Sequence, residues 1–321
     1  MRHLILLLLA CAASFAQVPV IFDTDMGNDI DDALALGLLH ALESRGECHI
    51  VAVTITKDNP WAAPYIDLVN TFYRRPEIPI GMVKRSGVTP EDSAMIRVPA
   101  QRKRQDGSFV YPHKMLSGSD APDAVAVLRQ ALAAQPDHSV VIIQVGFSTN
   151  LAHLLDDSDE LDQSRELVVR KVKLLVLMAG DFARHNPEFN VKMDIPSAQK
   201  LLRDWPTPIV TSGFEIGNSM LYPASSIVRD FPADHPVAEA YRNYQKFPYD
   251  RPTWDITAAL YAVRPNDGYF SLSEPGSISV DAKGVTTLIP ATGGKQRYLL
   301  MNDVQRARAL EAMILLSSQP R

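Results

Sequence analysis

Five carboxylates, Asp23, Asp25, Asp29, Asp31 and Asp32, fall within residues 23–32. Acids this close repel one another strongly unless a cation or solvent separates them. A hard divalent metal held by oxygen ligands, calcium foremost, explains the density most economically. Two other readings compete. Asp ahead of a helix caps it and suits its dipole, which accounts for Asp29 or Asp31 but hardly for all five. Asp23-Thr24-Asp25 alone fits a magnesium phosphatase, where Asp-x-Asp follows a strand, yet that pattern leaves Asp29–Asp32 unused.

Such a cluster has to be positioned by a strand before it and a helix after it. Val18, Val20, Ile21 and Phe22 read as a buried strand, and Ala33–Glu43 carries a helical pattern. Apolar runs of strand length recur at 50–55, 140–145, 173–178 and 208–211. Helical patterns lie between them at Trp61–Tyr73, Asp120–Ala134, Thr149–Leu155 and Ser197–Arg203. Nearly continuous apolar strands alternating with helices predict an α/β fold, with a mostly parallel sheet covered on both faces. Residues 276–300 predict an added antiparallel hairpin, and Val304–Leu316 a closing helix. Residues 86–118 are polar and weakly periodic, a candidate mobile flap. In open sheets of this kind ligands bind outside the carboxyl ends of the strands. The segments following the strands are polar or glycine-bearing: the Asp cluster, 56–59, 146–150, 179–182 and 212–215.

Residues 1–16 read as a signal peptide. Arg2 and His3 precede the apolar run Leu4–Ala10, and Ser14-Phe15-Ala16 offers small residues for cleavage near Gln17. The run is too short for a membrane span. The expectation is export, periplasmic or secreted, with lipid anchoring at Cys11 as the variant reading of Leu8-Leu9-Ala10-Cys11. Maturation would leave Cys48 as the single cysteine, without an internal disulfide. Residues 17–321 then form one catalytic domain, a length within reach of a single large α/β domain. A net charge of -5 gives no reason to expect nucleic-acid binding. The basic stretch from Arg97 to Arg104 reads as solvated surface, and nothing in the sequence speaks against a homo-oligomer.

Taken together, the chain resembles the inosine-uridine-preferring nucleoside hydrolase family. Asp23-Thr24-Asp25-Met26-Gly27 matches the first half of the family's amino-terminal signature and Asp31-Asp32-Ala33 the second. The spacing between the halves is two residues longer than in the best-known members, which leaves Asp29 as an extra acid. Further matches follow in order: Asn59 after the second strand, Gly146-Phe147-Ser148-Thr149-Asn150, Met178, Glu188-Phe189-Asn190 with Asp194, and Asp255 opening a late helix. The resemblance implies a calcium-dependent hydrolase that cleaves ribonucleosides to ribose and free base. It implies calcium held by Asp25, Asp32, Asp255 and the main-chain carbonyl of Val145, with Asp25 also the general base toward the attacking water. It implies ribose contacts from Asp31, Asn59, Glu188 and Asn190, with Met178 beside the sugar.

Each auxiliary residue also has a plain structural reading. Asn59 would cap a turn, Met178 would be core, Asp255 would cap its helix, and Glu188 and Asn190 would be loop-polar. Their order relative to the Asp signature is what unites them. The chain departs from the pattern at Trp254, where many members carry a proton-donating His. The purine-preferring branch has Trp there, stacked on the base, so Trp254 implies a stacking platform. The segment between Gly180 and Glu188 is short, and Asn186 or His185 stands nearest the family's 5′-hydroxyl contact. A rival function of another class is an exported nucleoside- or ribose-binding protein that has lost turnover, motivated by these departures. The retained Asp25, Asp31 and Asp32 speak against it.

Overall fold

The computed structural model describes residues 17–85, 87, 93–156 and 161–320, so the proposed signal peptide lies outside the described residues. The five apolar runs build β1 (Val18–Thr24), β2 (Cys48–Ile55), β4 (Val140–Gln144), β5 (Val172–Met178) and β6 (Ile209–Ser212), and the three-residue strand β3 (Ile80–Met82), not read from the sequence, joins them. All pair in parallel, in the order β3-β2-β1-β4-β5-β6. The chain winds outward from β1 to β3, then returns to lay β4 on the other side of β1. That reversal opens a crevice between the carboxyl ends of β1 and β4, where a ligand site is expected. The strands are buried on both faces, as their composition requires, and two apolar cores flank the sheet.

Helix Asp31–Ser44 follows β1 and packs on helix Trp254–Val263 and on the closing helix Asp303–Ser317. At the far edge, Gly276–Val280 and Thr286–Pro290 form the antiparallel hairpin. The next strand, Gln296–Leu300, runs parallel to β6 and joins the hairpin to the sheet. Among the described residues no helix is long and apolar enough to cross a membrane.

The stretch read as a flap contains helix Ala94–Gln101. Met95, Ile96, Pro99 and Ala100 are buried, and the helix packs against Ala62–Phe72 and Pro236–Tyr244. Its partners are distant in sequence, and Pro99 inside a short amphipathic segment obscures its helical period. Residues 86 and 88–92 of that stretch lie outside the described residues.

Candidate functional site

The Asp signature folds as a tight turn at the end of β1. Asn28 N–H donates to the Asp25 carbonyl at 3.2 Å, and Gly27 has φ +107°, a region that side chains disfavour. After β4, Gly146 lies so close to the turn that a Cβ would fall 2.5 Å from the Asp25 nitrogen and 2.4 Å from Thr56 Oγ1. A side chain there would push the end of β4 away from β1.

The five acids separate in space. Asp23 faces away from the crevice: its Oδ1 accepts from Thr54 Oγ1 at 2.6 Å and from Asn150 Nδ2 at 2.9 Å. Asn150 also donates to the Ile55 carbonyl, so this pair joins β1, β2 and the turn after β4. Asp23 is absent from the pocket lining, which removes the paired carboxylates that a phosphatase would need. Asp25, Asp29, Asp31 and Asp32 line one cavity of about 350 Å³ with Asp255. Carboxylate oxygens of Asp31, Asp32 and Asp255 lie within 4.8 Å of one another, all three buried. Asp25 lines the cavity beside this triad, Thr24 Oγ1 donates to Asp32 Oδ1, and Asp255 N–H donates to Asp31 Oδ2 at 2.9 Å. The Oδ2 atoms of Asp25 and Asp32 are buried without a hydrogen-bond partner.

Burial pushes the Asp25 carboxyl up to about 7; the ammonium of Lys57 opposes the shift and the charge of Asp29 adds to it. Burial and then the neighbouring acids hold Asp31, Asp32 and Asp255 well above the ordinary carboxylate range. Orphaned carboxylate oxygens, an all-oxygen donor set and mutual repulsion fit a divalent cation. The triad can hold a metal ion.

A stability test follows from the signs. Asp25, at about 7 against its ordinary 3.8, and Glu188, at about 7 against 4.5, prefer the protonated form in the metal-free fold. Their contribution is fully present below the ordinary values and is lost as pH rises through about 7. Metal-free protein should therefore melt at a lower temperature at about pH 8 than at about pH 5.5, with divalent cation reversing the loss at the higher pH. A metal-free melting temperature that is flat over that range would contradict the unneutralised cluster.

Opposite the acids, Glu188 caps the short helix Phe189–Met193: its carboxylate accepts from Asn190 N–H at 2.9 Å, Val191 N–H at 3.2 Å and Gly180 N–H at 3.3 Å. Asn190 Nδ2 donates to the Val145 carbonyl at 2.7 Å and to the Met178 carbonyl at 3.2 Å. Val145, Met178, Glu188, Asn190 and Trp254 all line the cavity. Asn59 does not. It is buried behind Gly27, its Oδ1 accepting from Trp61 N–H at 2.9 Å, as in a turn cap, and its Nδ2 unpartnered. Asp255 is no cap: it sits in the first turn of Trp254–Val263, after Thr253. Asn186 hydrogen-bonds Asp181 rather than lining the cavity.

The structure adds Asn28, Phe189, Phe214, Tyr244 and Arg251 to the lining. Arg251 makes a two-pronged ion pair with Asp29, its Nε 2.9 Å from Oδ1. Lys57, buried, donates to Asn28 Oδ1 at 3.0 Å. A polar segment just after β2 was the sequence signal for Lys57; Arg251 and Tyr244 carried none.

The buried carboxylates thus lie at the switch point of a doubly wound sheet, the place where open α/β sheets bind their ligands. The family model "Inosine-uridine preferring nucleoside hydrolase" matches residues 20–310, and the chain belongs to that family of hydrolases acting on ribonucleoside N-glycosidic bonds. Solved structures share the fold. A plant nucleoside hydrolase superposes with TM-score 0.68 at 19% identity, covering 94% of this chain and 99% of its own. The inosine-uridine preferring nucleoside hydrolase of Bacillus anthracis gives 0.69 at 16%, covering 94% and 99%. The purine-preferring ribonucleoside hydrolase of Gardnerella vaginalis gives 0.69 at 18%, covering 94% and 98%. No curated protein matches the sequence.

Proposed function

We propose that the protein is an exported, calcium-dependent ribonucleoside hydrolase that favours purine nucleosides. The observation that carries this reading is the convergence of the buried Asp31, Asp32 and Asp255 beside Asp25 in one cavity. Asp25, Asp32, Asp255 and the Val145 carbonyl would hold the calcium, and the triad geometry adds Asp31 to the acids around it. Bound there, calcium would orient the attacking water and make it more acidic.

Asp25 would accept the proton of the attacking water as general base. Cleavage develops positive charge at the anomeric carbon, and the surrounding carboxylates stabilise it. Asp31, Glu188 and Asn190 hold the ribose hydroxyls, with Met178 packed against the sugar. Asn59 supports the Gly27 turn from behind, which gives it a positioning role toward the ribose. Export rests on the leader-like first sixteen residues, and secretion of a full-length reporter fusion tests it.

The purine preference rests on Trp254. Its indole N–H donates to the Phe214 carbonyl at 3.0 Å and its ring lies 5.3 Å from that of Phe214. The indole is thus fixed at the cavity wall. Base stacking on it is worth about 0.5–1.5 kcal/mol beyond area burial. The test is a panel of ribonucleosides assayed for released base with calcium present, on wild type and Trp254→Ala. Inosine kcat/KM should exceed that of uridine in wild type, and the substitution should lower inosine turnover more than uridine turnover. Equal losses would make Trp254 an anchor of its helix and remove the purine preference.

A further inference from the structure

The extra acid of the signature, Asp29, does not face the metal triad: it clamps Arg251. The guanidinium meets Asp29 through Nε and Nη2, and Tyr244 lines the same cavity wall. Its Cζ lies 5.2 Å from the ring centres of both Tyr244 and Trp254, distances at which a cation is attracted to a ring face. The backbone is held as well. Arg251 pairs with Tyr222 in a short antiparallel bridge, and Tyr241 Oη donates to the Tyr249 carbonyl at 2.9 Å. Arg251 is therefore a fixed cation on the cavity wall, beside the residue that would face the base.

Resting on the ribonucleoside-hydrolase reading, we propose that Arg251 is the group that receives the leaving base, hydrogen-bonding its acceptor atoms as the N-glycosidic bond breaks, and that Asp29 is its positioning residue. A guanidinium has five N–H donors, and the edge given to Asp29 uses two. The outer edge, formed by Nη1 and the second proton of Nη2, is a second fork. Such a fork matches the N7 and O6 acceptors of a 6-oxopurine.

The balance is simple. The bond between the anomeric carbon and the base nitrogen breaks with its electron pair leaving on the base. The water oxygen bonds to the anomeric carbon, and its proton goes to Asp25. Arg251 stays protonated throughout, so it stabilises the departing anion by charge and hydrogen bonds. Solvent then protonates the base, and Asp25 returns its proton to solvent. Arg251 thus stabilises the departing base by charge and hydrogen bonds, where many members carry a His that donates a proton to it.

The test compares two ribosides in calcium-loaded protein: inosine, whose base leaves poorly as an anion and offers N7 and O6, and 4-nitrophenyl riboside, whose phenolate leaves readily and offers neither. In Arg251→Gln the ratio of kcat/KM for inosine to that for the nitrophenyl riboside should fall by about 10²-fold, the usual effect of losing one preorganised donor to a developing anion. Asp29→Asn loosens the clamp while keeping the cation, and should move the ratio the same way by a smaller factor. A ratio unchanged in both variants, whether the two rates hold or fall together, would overturn the assignment and leave Arg251 a structural ion pair. Wild-type protein that cleaves neither riboside would instead overturn the hydrolase reading, and the leaving-group role with it.

Discussion

Asp25→Asn should lower nucleoside turnover by about 10²–10⁴-fold, the range that general-base assistance supplies. The amide keeps the size of the side chain and one oxygen toward the cation, but it cannot accept a proton. The same turn, fixed by Gly27 and by the close approach of Gly146, should still form, so inosine should bind the variant with affinity close to wild type. Stopped-assay turnover at saturating calcium, paired with calorimetric binding of inosine, checks both halves. Retained turnover in calcium-loaded Asp25→Asn would move the base to another carboxylate of the cluster.

Removing a member of the metal triad should act differently. Asp255 is buried, sits in the first turn of its helix and adds to the repulsion felt by Asp31 and Asp32. Asp255→Asn keeps the volume but takes one negative charge from the cluster. Metal-free Asp255→Asn should melt above metal-free wild type at about pH 8, because repulsion in the empty cluster is relieved. In wild type, calcium at about 100 times its Kd should add about 2.7 kcal/mol of stability. The variant should lose most of that gain, and turnover should fall by about 10³-fold or more with the loss of the cation's contribution to water activation. An undiminished calcium-induced rise in melting temperature would place the cation away from Asp255.

What the sequence revealed followed the range of the interactions. β1, β2, β4, β5 and β6 were legible because a strand buried on both faces is apolar along its whole length. Asp25, Asp31 and Asp32 were legible because acids adjacent in the chain cannot escape one another's charge. Asp23 carried the same local signal, yet it faces Thr54 and Asn150 behind the crevice. Spacing alone does not say toward which side of a turn a carboxylate points. Asp255 and Trp254 lie more than two hundred residues from the signature and were reached only through the family pattern. Arg251 and Tyr244 were out of reach, because nothing near them in sequence announces a partner at Asp29. Helix Ala94–Gln101 was missed for a related reason: the surfaces that bury its apolar side chains belong to helices far along the chain.

This cavity should hydrolyse a ribonucleoside with calcium in place and not without it. The direct measurement is the yield of free ribose and free base from inosine, in phosphate-free buffer, with chelator and then with calcium restored. Equal molar amounts of ribose and hypoxanthine in calcium, and neither in chelator, are the expected result. Inosine bound in calcium with no ribose released would contradict it, and would make the protein a binder of nucleosides rather than a hydrolase.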